Sequence, residues 1–271
     1  MAPEPPTVRE GRRPPDGPHE GVPAHLNEPL VNWLETAFKS GPGRNGDAVT
    51  MLAVATACRI PLFSGARHGQ IFGEIAGWSH GEPDRLLDVI HAAIQVVPDA
   101  PVGPLDRMLV YGGSVWTATP TGLQRRVDPT AQAAFHAACR PADAASEELV
   151  EAWSNAYGRH PNASDAWDHA IKAVELVLIP IVVPNQRQSQ IGHVIGQLDK
   201  QGQLWEFVLP GPNDDHNIGQ FVGMLRLLWP NPDRHGDPQQ RRMPTLEEAR
   251  AVVQLAVTIV QWARDGLITR R

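Results

Sequence analysis

Cysteine is scarce. The chain has two in 271 residues, Cys58 and Cys139, which excludes a disulfide framework and a thiolate zinc site. No apolar run reaches the roughly 18 residues that a membrane span requires. The opening Met-Ala-Pro-Glu-Pro-Pro has no apolar core of a signal peptide. A cytoplasmic protein with no membrane partner is therefore expected. Net positive charge is also missing: 24 Lys and Arg against 30 Asp and Glu give −6. That excludes a general basic coat for nucleic acid and leaves room for a local basic patch. Catalytic signatures are few. There is no His-Glu-x-x-His. The Gly41–Gly46 stretch is followed by Asp47-Ala48, so it is not a phosphate loop. Gly113-Ser114-Val115 lacks the second glycine of a nucleophile elbow. Asp214-Asp215-His216 reads as a solvated helix start, since adjacent side chains rarely converge on one ion. Neither a metal nor an organic cofactor is expected, and no nucleophile–base set supports a small-molecule enzyme.

What is present is unevenly spread. Hydrophobic residues make up 42%, enough for a globular core. Seven prolines and three glycines fall within the first 23 residues, a composition that buries nothing and predicts a disordered tail over 1–24. From 25 to 140 the sequence predicts a mostly helical N-terminal domain. Leu26, Leu30, Trp33, Leu34 and Phe38 recur on one helical face, an apolar run follows over Ala48–Ile60, and Leu86, Leu87, Ile90, Ala93 and Ile94 mark a helix over Glu82–Val97. The period changes once. Ser114–Thr119, then Pro-Thr-Gly, then Leu123–Val127 predict a β-hairpin with a three-residue loop. Arg125 and Arg126 read as a solvated strand edge.

Over 141–271 the pattern predicts a bundle of about five helices. Ser146–Ala156 is the first. The second is capped by Ser164 and carries Trp167, Ala170, Ile171, Val174 and Leu178 on one face, with Asp168 and Lys172 as an i,i+4 pair. Ser189–Asp199 and Asn217–Trp229 follow. The last starts at the Thr245–Glu248 capping box and runs to Gly266, with Val257 and Ile259 widening its apolar surface. The whole is mainly α. The eight tryptophans fall singly at helical contact positions, as core residues do.

One segment has chemical potential. Trp229-Pro-Asn-Pro-Asp-Arg-His-Gly236 places a tight turn after a helix and presents Arg234 and His235 at its exit. Arg226 lies on the helix before. From Arg226 to Arg271 there are eight Arg and five Asp or Glu, a local +3. Histidine to move protons, beside arginine to stabilise charge at phosphorus, suits a phosphodiester. The competing reading is a capped turn with solvated arginines.

These residues resemble a family. Ala166–Glu175, Ile191–Leu198 and Asn231–Gly236 followed by Ala249–Trp262 are similar, in order and spacing, to the HEPN-type helical domain at the C-terminus of abortive-infection proteins. The resemblance implies a toxin or phage-defence protein, often a metal-independent endoribonuclease in which the RNA 2′-hydroxyl attacks its own phosphate. It implies a homodimer and a site built from an arginine, Asn231 and His235. Pro230 stands where the motif arginine is expected, so Arg226 or Arg234 must supply the charge. Otherwise the domain is a non-catalytic module that binds a protein or nucleic acid. The N-terminal domain then acts as a sensor or protein-binding part.

Overall fold

The computed structural model describes residues 17–39, 48–63, 68–186, 188–211, 214–234 and 241–271, without the side chains of His68 and Arg234. The chain is mainly α, with eleven α-helices among the described residues and two small antiparallel strand pairs. It divides into two compact units between Arg126 and Val127.

In the first unit, α1 (Ala24–Lys39), α2 (Ala48–Ala57), α3 (His68–Ser79), α4 (Pro83–Val96) and α5 (Val102–Tyr111) surround one core. Pro83 opens α4, where its missing N–H costs nothing. Leu86, Leu87, Ile90 and Ala93 then face α1, α2 and α3. The hairpin of β1 (Trp116–Thr119) and β2 (Gly122–Arg125) pairs Trp116 with Arg125 and Thr119 with Gly122. Its loop is therefore two residues, Pro120-Thr121. Gly122 belongs to the strand because its φ of +129° suits only glycine, and a Cβ there would lie 2.5 Å from the His91 ring. The ring's Nδ1 accepts from Leu123 N–H at 3.0 Å.

Two expectations are corrected in this unit. Residues 1–16 of the predicted tail lie outside the described residues, but its end is docked. His19 N–H donates to Gly113 O, and Glu20 O accepts from Trp116 Nε1 at 2.7 Å. Composition missed this because the partners, Gly113, Trp116 and Arg125, lie about a hundred residues further along the chain. Arg125 and Arg126 are not a solvated edge either. Arg125 grips Glu20 through two bonds at 2.7 and 2.6 Å, and Arg126 pairs with Asp106 at 3.1 Å.

The second unit contains α6 (Pro129–Ala138), α7 (Ala144–Tyr157), α8 (Ala163–Val182), α9 (Ile191–Lys200), β3 (Trp205–Phe207), α10 (Gly219–Leu228), α11 (Leu246–Arg264) and β4 (Ile268–Arg270). All five expected helices are present, and α6, which packs on α11, precedes them. Long α8 is the centre of the bundle, flanked by α7, α9 and α11. Caps set the boundaries. Asp128, Asp143 and Asn162 accept from the first free N–H groups of α6, α7 and α8. Asn162, not Ser164, is the cap of α8. Both halves of the Thr245–Glu248 box form. Phe135 stacks on buried Trp153 with ring centres 4.2 Å apart. Five of the eight tryptophans are buried, and Trp229 is the exposed one.

The pairing of β3 with β4 was not read from the sequence. Trp205 and Phe207 face inward and Glu206 outward, but three residues are too few to register as a period. Val257 and Ile259, expected as surplus apolar surface for a homodimer, are 3% and 0% exposed within their own unit. The core takes that surface. No helix among the described residues is long and apolar enough to cross a membrane.

Candidate functional site

Helix α10 buries Phe221, Val222, Leu225 and Leu228, which turns Arg226 outward. There its guanidinium, 58% exposed, pairs with Asp199 of α9 at 2.5 Å. The helix stops at Pro230, and the Leu228 carbonyl, left without a helical donor, accepts from Trp167 Nε1 at 2.6 Å. A short 3₁₀ turn over Pro232–Arg234 follows.

Asn231 holds this turn to the start of α8. It is 2% exposed. Its Nδ2 donates to Asp168 Oδ1 at 2.8 Å and Ser164 O at 3.3 Å, while its Oδ1 accepts from Asp233 N–H at 3.3 Å. Ser164 Oγ donates to Asp233 Oδ2. Asp168, expected to pair with Lys172, is here the partner of Asn231. On the far side, Arg242 N–H donates to Pro232 O at 3.2 Å, so the chain leaves and returns across a hydrogen-bonded neck. Arg242 also grips Glu248 through two bonds at 2.7 and 2.6 Å. These bonds hold the Glu248 carboxyl down to about 2.

Of the four residues expected to form the site, the structure assigns a place to two. Asn231 is buried structure, and Arg226 is committed to α9. His235 and the side chain of Arg234 lie outside the described residues. Of the eight arginines from Arg226 to Arg271, four, Arg226, Arg242, Arg264 and Arg271, each meet a carboxylate, and Arg250 donates to Ala156 O at 3.1 Å. Burial pushes both thiols, Cys58 and Cys139, up to about 11, so neither is a ready thiolate nucleophile. Among the described residues no group of three or more His, Cys, Asp or Glu is placed to hold a metal.

A second group of charged residues, missed in the sequence, lies further along α8. Glu148 of α7 and His169 of α8 share a hydrogen bond of 2.5 Å. Glu175 accepts from Ile191 N–H, the first of α9, at 2.7 Å, and burial pushes its carboxyl above the ordinary value. A signal existed in Lys172 and Glu175 lying three apart on α8. That Glu148 stands beside them is decided by the packing of α7. Comparison with protein-family models, curated proteins and solved structures finds no match to this chain.

Proposed function

We propose that the chain is a two-part binding protein of the abortive-infection type. Its second unit serves as a HEPN-like module that does not cut RNA, and its first unit docks a protein partner. The burial of Asn231 carries this reading. An amide 2% exposed and bonded at both ends to its own chain has no free capacity for a phosphate. The arginines point the same way, because affinity for RNA comes from cations that neutralise phosphates and four of the eight here already have a carboxylate beside them. The first unit exposes large apolar side chains instead. Val49 and Leu52 of α2 and Phe63 beyond it are 72%, 44% and 79% exposed, the kind of side chains that protein interfaces cover.

One observation favours the ribonuclease reading: the neck formed by Asn231, Pro232 and Arg242 fixes both ends of the segment that carries His235. Purified protein incubated with total RNA in EDTA, beside His235→Ala, separates the two. The expected result is intact RNA with both proteins. Cleavage that disappears in His235→Ala would replace this reading with a HEPN-type endoribonuclease.

A further inference from the structure

A pocket of about 360 Å³ opens between α7 and α8. Glu148 lines it from α7, Lys172, Glu175, Leu176, Ile179 and Pro180 line it from α8, and Ser189 lines it from the turn before α9, its hydroxyl donating to Gln186 O at 2.8 Å. The volume falls in the range of sites that enclose small molecules, about 300–1,000 Å³. It is far below what a folded partner requires.

The walls differ in chemistry. Leu176, Ile179 and Pro180 form an apolar side. Opposite charges stand on the other. Lys172 and Glu175 are three residues apart, so they project from the same face of α8. The Glu175 carboxylate is half-buried and oriented, because Ile191 N–H holds its Oε1 at 2.7 Å. Glu148 is likewise oriented, by its bond to His169. The pocket therefore collects two oriented carboxylates beside one ammonium.

That combination selects a ligand class by elimination. A simple anion would meet two carboxylates. A simple cation would satisfy the acceptors and face Lys172. A neutral apolar molecule would strip water from Lys172, Glu175 and Glu148 and give no polar contact in return. A molecule with an ammonium, a carboxylate and an apolar body meets both signs of charge and the apolar side. We propose that this pocket binds a free α-amino acid with a branched or aromatic side chain. Its ammonium lies on Glu175 and Glu148, its carboxylate on Lys172, and its side chain on Leu176, Ile179 and Pro180. The assignment does not depend on the HEPN-like reading, and its failure would leave the RNA experiment unchanged.

Titration calorimetry on the full chain tests it with L-leucine, L-phenylalanine, isoamylamine and 4-methylpentanoate. The last two are leucine without its carboxylate and without its ammonium. Saturable binding of an amino acid at millimolar concentration is expected, with both truncated analogues weaker by about tenfold or more. Lys172→Met should remove the preference over isoamylamine, and Glu175→Gln the preference over 4-methylpentanoate. Glu175→Gln keeps an oxygen for Ile191 N–H, and Lys172 is exposed, so both variants should retain the wild-type melting temperature. No saturable heat with either amino acid would overturn the proposal. So would isoamylamine binding as tightly as L-leucine, or discrimination that survives in both variants.

Discussion

Asn231 shows how one side chain changes meaning between sequence and structure. In the sequence it follows a proline at a helix end and matches a catalytic motif. In the fold it ties Ser164 and Asp168 of α8 to the turn that carries Asp233, a junction made only where the chain leaving α10 reaches the start of α8. Replacing it with alanine removes the amide bond to half-buried Asp168 and the acceptor of Asp233 N–H. Asn231→Ala should therefore cost about 1–3 kcal/mol, read from urea denaturation. An unchanged midpoint would show that the amide is dispensable and its burial incidental. Glu248 carries a different kind of prediction. Its folded carboxyl sits at about 2, below the ordinary 4.5, because Arg242 and the Thr245 N–H favour the charged form. A lowered folded value stabilises above the unfolded value and loses that contribution as pH falls through the folded one. Glu248→Gln retains the cap and removes the charge. The stability gap between wild type and this variant should be full above pH 4.5 and close as pH falls towards about 2.

At the scale of elements, boundaries follow local chemistry and junctions do not. Thr245 and Glu248 start α11 as their spacing requires, because a capping box involves only four consecutive residues. The hairpin loop is shorter than its Pro-Thr-Gly sequence suggests. Gly122 takes a positive φ inside the strand, with the His91 ring against it, and His91 is remote in sequence. Gly122→Ala should destabilise the first unit by about 1–3 kcal/mol through the strained backbone. Adding His91→Ala should recover only the steric part. Arg264 ends α11, and its guanidinium reaches two oxygens of Asp143 at 2.6 and 2.8 Å and the carbonyl of Ala138. One side chain thus ties the end of α11 to α6 and to the cap of α7. Arg264→Met keeps the apolar stem and removes the fork. It should lower the melting temperature, and hydrogen exchange should rise first in α6 and the first turn of α7.

At the scale of the molecule, the two units have separate cores and are joined where β2 gives way to α6. Fragments ending at Arg126 and beginning at Val127 cut no core cluster. The fragment beginning at Val127 should give a helical circular-dichroism spectrum and a cooperative melt. A non-cooperative melt would show that the second core needs the first unit. Deleting residues 1–16 should leave the melting temperature unchanged, whereas extending the deletion through Glu20 should lower it. The longer deletion removes the acceptor of Trp116 Nε1 and the partner of Arg125.

The sequence by itself determined the mainly helical class, the five helices after residue 140, the hairpin near 114–128 and the core role of most tryptophans. Helical period, capping and turn chemistry act over a few consecutive residues, so a linear reading reaches them. The tertiary structure alone decided how the charged side chains are used. Arg226 is drawn to Asp199, Arg126 to Asp106 and Asn231 to α8 by partners from other elements, which no spacing along the chain records. The short β3–β4 pairing is decided the same way, since Trp205 and Ile268 lie at opposite ends of a long stretch of chain. A motif lists residue types in order. Whether a guanidinium or an amide remains available for a ligand depends on what packing brings within hydrogen-bond reach, and in this fold packing takes the amide of Asn231 and the guanidinium of Arg226 for the protein's own structure.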